Sequence, residues 1–209
     1  TLDTQYVHVV DTAAPVITLD IPDDVALNGC FDDYDLSVAA LGNATFTASD
    51  DCGALTSSLT HADGAVTYPC GEGAGSGSFD RTWTLTVSDC VGNSSTLVEV
   101  QSISVTDVTP PSLTVSPLDT LDCGDWYDGF TADDAVGLGW VSATDNCQLD
   151  SIGLTTLNPF SNGCAGGWEV EYTAFDACGN STSGTQIILF LDTVAPVFTT
   201  VPADQNLAC

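Results

Sequence analysis

The sequence predicts an all-β protein made of small sandwich modules in series, and three observations predict it. Apolar residues recur at every second position in run after run, as in Trp83, Leu85, Val87 and again in Val170, Tyr172, Ala174, which is the period of a half-buried strand. No stretch sustains a helical i, i+3, i+4 pattern over three turns. Marker sequences also return in order. Ser88-Asp89-Cys90-Val91-Gly92-Asn93-Ser94-Ser95 is echoed by Phe175-Asp176-Ala177-Cys178-Gly179-Asn180-Ser181-Thr182, and Ala48-Ser49-Asp50-Asp51-Cys52 by Ala143-Thr144-Asp145-Asn146-Cys147. Asp11-Thr12-Ala13-Ala14-Pro15 recurs as Asp107-Val108-Thr109-Pro110-Pro111 and as Asp192-Thr193-Val194-Ala195-Pro196. Repeats spanning 11–106 and 107–191 each have the length of one β-sandwich.

Taken in order, residues 1–10 resemble the end of each full repeat and read as the last strand of a preceding module. The first repeat then offers strands near 15–21, 44–49, 54–60, 65–68, 80–88 and 95–106. The second offers them near 112–116, 139–144, 149–156, 168–175 and 184–191. Between the central strands of the first repeat, Gly71-Glu72-Gly73-Ala74-Gly75-Ser76-Gly77 reads as a flexible connection; it lacks the Lys of a phosphate-binding loop. Residues 192–209 restart the pattern, so the sequence reads as a window of a longer tandem array.

The charge balance limits the partners. The chain carries 29 acidic residues against one basic residue, Arg81, for a formal net charge of −28. Nucleic acid is excluded, because binding phosphates requires Lys or Arg to displace counterions. With 44% apolar residues the chain can bury a core, so the acidity marks a highly soluble folded surface suited to a salty medium. No run approaches 18 apolar residues, and no membrane segment is read in this stretch.

Nine cysteines fall as Cys30, Cys52, Cys70, Cys90, then Cys123, Cys147, Cys164, Cys178, then Cys209. Four per repeat without close C-x-x-C pairs points to disulfides rather than zinc, and to an extracellular or otherwise oxidising compartment. Read as immunoglobulin-like sandwiches, the modules place the Asp50-Asp51-Cys52 and Asp89-Cys90 loops together at the end where the chain enters. That favours Cys52 with Cys90 and Cys147 with Cys178, leaving Cys30 with Cys70 and Cys123 with Cys164. Four cysteines allow three connectivities, so the other two stay open.

The Asp-x-x-x-Pro element, Ala-Thr-Asp-Asn-Cys at 143–147 and Ala-Phe-Asp-Ala-Cys-Gly-Asn-Ser-Thr at 174–182 together resemble the hyalin repeat and related bacterial immunoglobulin-like repeats. These occur in giant surface proteins, including gliding and adhesion proteins, that Bacteroidota export by the type IX system. The resemblance covers 11–192 and implies a structural or adhesive role rather than catalysis. The first repeat departs from the pattern at Val91, where a Cys is usual.

The same markers assemble candidate metal ligands. For the second repeat these are Asp107, Asp145, Asn146, Asp176 and Asn180; for the first, Asp11, Asp50, Asp51, Asp89 and Asn93. Carboxylates about 4 Å apart repel by roughly 4 kcal/mol at an effective dielectric near 20, and one Arg cannot neutralise two clusters. Hard oxygen ligands drawn from three loops suit calcium, placed at each junction between modules. The competing reading is that these Asp and Asn residues only shape turns.

Catalysis has little support, since His8 and His61 lie far apart in the chain and join no Ser, Cys or Asp in a repeated set. The Trp126-Tyr127 pair, in a Gly- and Asp-rich loop, is the candidate contact for a surface glycan. Asn93-Ser94-Ser95 and Asn180-Ser181-Thr182 fit the N-glycosylation acceptor but fall inside the candidate ion loops. The resulting expectation is a disulfide-stapled stalk or spacer of an extracellular, cell-surface fibre or adhesin. Its partners are neighbouring modules of the same chain and identical chains in a fibre. The alternatives are a self-assembling filament subunit and an adhesive module that grips glycan or another partner.

Overall fold

The structure, a computed structural model, describes residues 5–51, 53–122, 129–162, 165–192 and 194–200. It is all-β, and the described residues form twelve strands and only short helical turns. The chain divides into two compact units. The first comprises Thr1–Pro111 with Thr144–Asp150 and Phe175–Ser181, and the second Ser112–Ala143, Ser151–Ala174 and Thr182–Cys209.

In the first unit, strand β1 (Val16–Asp20) pairs antiparallel with β3 (Thr45–Ser49), Val16 opposite Ser49. Pro22 interrupts the next segment, because proline has no N–H to give to a ladder. Beyond it the chain resumes as β2 (Val25–Asn28) in a different sheet, parallel to β6 (Ser94–Thr106), with Val25 beside Ile103. That sheet has the order β2-β6-β5-β4, where β4 is Thr56–Asp63 and β5 is Gly77–Ser88. Flanked on both sides, β5 supplies Trp83, Leu85 and Val87 to the core, and β6 adds Ile103 and Val105. Each such side chain contributes about 1.5–3 kcal/mol by leaving water.

The second unit repeats the plan. Strand β7 (Ser112–Val115) pairs with β9 (Val141–Thr144); after Pro117, β8 (Leu118–Asp122) runs parallel to β12 (Ser181–Leu191) with Leu118 beside Ile187. The larger sheet has the order β10-β11-β12-β8, with β10 at Leu149–Asn162 and β11 at Ala165–Asp176. Val170 and Tyr172 of β11, Ile188 of β12 and Val141 of β9 close on Ala132 and Ala135 of a short helix, with Leu113, Val115 and Trp140 packed around them.

Strands β2 and β8 are absent from the sequence reading, and the strand expected at 65–68 is reduced to one bridge between Thr67 and Ser78. Two short helices were also not anticipated. They are α1 (Val38–Leu41) and α2 (Ala132–Gly137), and α2 begins with a capping box between Thr131 and Asp134. Residues 5–10 carry no regular secondary structure, and Tyr6, Val7, Val9 and Val10 are exposed.

Candidate metal centre

Each Asp of the repeated Asp-x-x-x-Pro element folds its carboxylate back on its own chain. Asp11 Oδ1 accepts the Ala13 N–H at 3.0 Å, Asp107 Oδ1 the Thr109 N–H at 3.1 Å, and Asp192 Oδ1 the Val194 N–H at 3.0 Å. In the first two copies the second oxygen, Oδ2, is buried with no hydrogen-bond partner. This turn chemistry uses half of each carboxylate and aims the other half elsewhere.

What it meets comes from the loops. Asp107, Asp145 and Cys147 present ligand atoms within 4.8 Å of one another, and so do Asp11, Asp50 and Asp89. Asp107 is buried, 3% exposed, and Asp145 Oδ1 is a further buried oxygen without a partner. Asp145 Oδ2 is already engaged by the Cys147 N–H at 2.8 Å. Both residues therefore spend one oxygen on the backbone and leave one for something else. An unpaired buried carboxylate oxygen is costly, and neither cluster has a cation of the protein's own beside it, since Arg81 pairs with Asp63.

The other candidates have different work. Asp176 accepts the Asn180 N–H and side-chain amide, both at 2.7 Å, and Asn180 also donates to the Asp107 carbonyl at 3.2 Å. Asp89 does the same job in the first repeat with greater saturation. Its Oδ1 accepts the N–H groups of Val91, Gly92 and Asn93 at 2.7–2.9 Å, and Oδ2 accepts the Asn93 amide at 2.7 Å. Burial pushes the Asp89 carboxyl up, but these bonds together hold it below the usual carboxylate range. Asn93 and Asn180 thus position the linker Asp and the loop Asp relative to each other. Asn146 donates to Asp107 Oδ1 at 3.3 Å. Asp51 is exposed and belongs to neither cluster.

The Gly71–Gly77 stretch is more than a flexible connection. Ser76 Oγ accepts the Asp107 N–H at 2.9 Å, and Gly75, at φ +122°, packs so close that a Cβ there would lie 3.2 Å from Asp107 Oδ2. Its contact with Asp107 spans some 30 residues, so no local pattern signals it.

The disulfides differ from the expected pairing. Cys30 is bonded to Cys147, with Cα atoms 5.4 Å apart, and Cys70 to Cys178, at 4.8 Å. Neither Cys30–Cys70 nor Cys147–Cys178 forms. The loops of the second repeat that carry Cys147 and Cys178 belong to the first unit, and there each meets a cysteine of the first repeat. Cys147 sulfur is thereby committed, leaving the Asp107 cluster with oxygen donors. Cys52, Cys123 and Cys164 lie outside the described residues, as do Trp126 and Tyr127, so the pairings drawn for Cys52 with Cys90 and for Cys123 with Cys164, and the glycan contact, are not described. Among the described residues no helix is long and apolar enough to cross a membrane.

No family model matches the chain, and no curated protein matches it. Among solved structures it is similar to the protocadherin gammaB7 EC3-6 cis-dimer (TM-score 0.30, 11% identity, 86% of this chain and 51% of that one). It is also similar to protocadherin gamma B2 extracellular cadherin domains 3–6 (TM-score 0.31, 15% identity, 88% and 54%) and to the protocadherin gammaB4 extracellular domain (TM-score 0.31, 15% identity, 88% and 35%). The chain spans about half or less of the length of these structures. Superpositions this loose establish neither family nor ligand.

Proposed function

We propose that the chain is a structural segment, a stalk or spacer of tandem sandwiches, of an extracellular surface protein of the hyalin-repeat kind, with calcium held at the Asp107 and Asp11 clusters. One observation carries the reading: Asp11 Oδ2, Asp107 Oδ2 and Asp145 Oδ1 are buried without partners inside groups of acidic residues. Turn formation explains only the other oxygen of each. The donors are hard oxygens, and a divalent ion with 6–8 oxygen ligands, some from backbone and water, matches them better than zinc or copper. The disulfides Cys30–Cys147 and Cys70–Cys178 favour an oxidising location. Placed where one repeat passes into the next in sequence, the ion stiffens the array.

Calorimetry of the chain in calcium and in chelator tests this. At calcium about 100-fold above Kd, each site adds about 2.7 kcal/mol, which for a chain of this size raises Tm by roughly 5–10 °C. An unchanged Tm, with no sensitised terbium luminescence from the protein, would sink the reading.

A further inference from the structure

We propose that the Cys30–Cys147 disulfide sets the affinity of the Asp107 cluster for its cation, so that opening this bond releases the ion. This rests on the cation reading above and adds the regulation of that site.

The two carboxylates of the cluster come from separate stretches of chain. Asp107 follows β6, and Asp145 follows β9. One direct hydrogen bond, from the Asn146 amide to Asp107 Oδ1 at 3.3 Å, ties residues 145–147 to Asp107. The covalent tie is two residues from Asp145, through Cys147 to Cys30. Because the Cys147 N–H is bonded to Asp145 Oδ2 at 2.8 Å, Cys147 and Asp145 move as one turn. Cys70–Cys178 anchors the neighbouring loop, where Cys178 sulfur lies 3.3 Å from Ser76 Oγ, the same hydroxyl that accepts the Asp107 N–H.

Without a cation, Asp107 and Asp145, with ligand atoms no more than 4.8 Å apart, repel each other. At an effective dielectric near 20 that repulsion is on the order of three times the net worth of one ordinary hydrogen bond. The long Asn146 amide contact is supplemented only indirectly, through the Ala177 N–H on the Gln148 carbonyl at 3.1 Å and the Asn180 amide on the Asp107 carbonyl at 3.2 Å; the disulfide adds the covalent tie that fixes the turn. When it opens, the ion must gather the turn that the bond had positioned in advance, and affinity falls by the cost of that ordering. Opening requires two electrons from a dithiol, which closes to its own disulfide while Cys30 and Cys147 each take up a proton.

Calcium titration by calorimetry reads the effect, in full-length chain carrying Asp11→Asn and Asp50→Asn so that only the Asp107 cluster reports. The double variant Cys30→Ser/Cys147→Ser is expected to bind calcium at least about tenfold more weakly than the oxidised parent. Coupling is reciprocal, so a second measurement needs no cysteine variant. In a graded dithiol buffer, thiol trapping and mass spectrometry should show calcium protecting Cys30–Cys147 from reduction by the same factor, and this decides the matter if the double variant does not fold. Equal affinities, or a reduction midpoint indifferent to calcium, overturn the coupling while leaving the cation reading intact. An oxidised parent that binds no calcium overturns both.

Discussion

The guanidinium of Arg81 grips the carboxylate of Asp63 at two points, Nε on Oδ1 and Nη2 on Oδ2, the latter at 2.9 Å. The two residues stand opposite each other in the β4–β5 ladder. Arg81, the one basic side chain of the protein, is 1% exposed; it also donates to the Leu36 carbonyl at 2.8 Å and lies over the Phe79 ring. A buried charge is tolerated only when paired. Asp63→Asn keeps the shape and removes the counter-charge, and is expected to cost about 1.5–3 kcal/mol, toward the lower end because Asp63 is partly exposed and water screens it. Urea unfolding checks this: the midpoint falls with an unchanged slope. An unmoved midpoint would show that Arg81 does not need this partner.

Acid should remove the stabilisation that two depressed carboxylates supply. The Arg81 hydrogen bond holds Asp63 below the ordinary carboxylate range, and the Asn93 amide with three backbone N–H groups outweighs burial to do the same for Asp89. Unfolded Asp titrates near about 3.9, so the unfolded chain takes up protons first as pH falls. The stabilisation is complete above that value and is lost as pH drops through the depressed folded-state values. The stability gap between the parent and Asp89→Asn, constant near neutral pH, should therefore narrow below about pH 4. A gap that stays constant into strong acid would show that the ionised form of Asp89 is not what the loop holds.

Much of this was legible beforehand because the repeat markers are local structures. Asp11, Asp107 and Asp192 make the same short turn, and Asp89 with Asn93 and Asp176 with Asn180 close the same loop, each within five residues. The alternation that placed Trp83, Leu85 and Val87 inside is likewise local. What depends on distant partners was not legible. Strands β2 and β8 are short, follow a proline, and exist because β6 and β12 offer them parallel edges. Cysteine spacing within a repeat does not reveal that Cys30 and Cys70 meet loops more than 100 residues away. Helix α2 was within reach, since Thr131 and Asp134 form a capping box, but six residues give no periodicity to notice.

Asp107→Asn should reverse sign with calcium. In chelator the substitution removes like-charge repulsion from Asp145, whose ligand atom lies within 4.8 Å, and raises Tm; the repulsion relieved is on the order of 3 kcal/mol at an effective dielectric near 20. In saturating calcium the variant loses a ligand and most of the ion's stabilisation, so the parent melts higher. Thermal scans of both proteins in both buffers give four values. Crossing lines mark an ion site, whereas a variant less stable in both buffers marks a carboxylate whose work is confined to the Thr109 turn.

Tyr172 tests the second core at the alkaline end. Its hydroxyl, fully buried, donates to Gln186 Oε1 at 2.8 Å, and Gln186 Nε2 donates to Asp119 Oδ2 at 2.9 Å. Burial, with the Asp119 charge adding to it, pushes the phenol up to about 12. Unfolded tyrosine ionises near about 10, so the phenol's contribution to stability is whole below that pH and is lost as pH rises through about 12. Tyr172→Phe leaves the Gln186 carbonyl oxygen buried without its donor and should cost about 1–3 kcal/mol at neutral pH. The parent-minus-variant phenolate absorbance isolates this residue: it should rise near pH 12. A rise close to pH 10 would mean that water reaches the hydroxyl and that the Tyr172–Gln186–Asp119 chain is not closed.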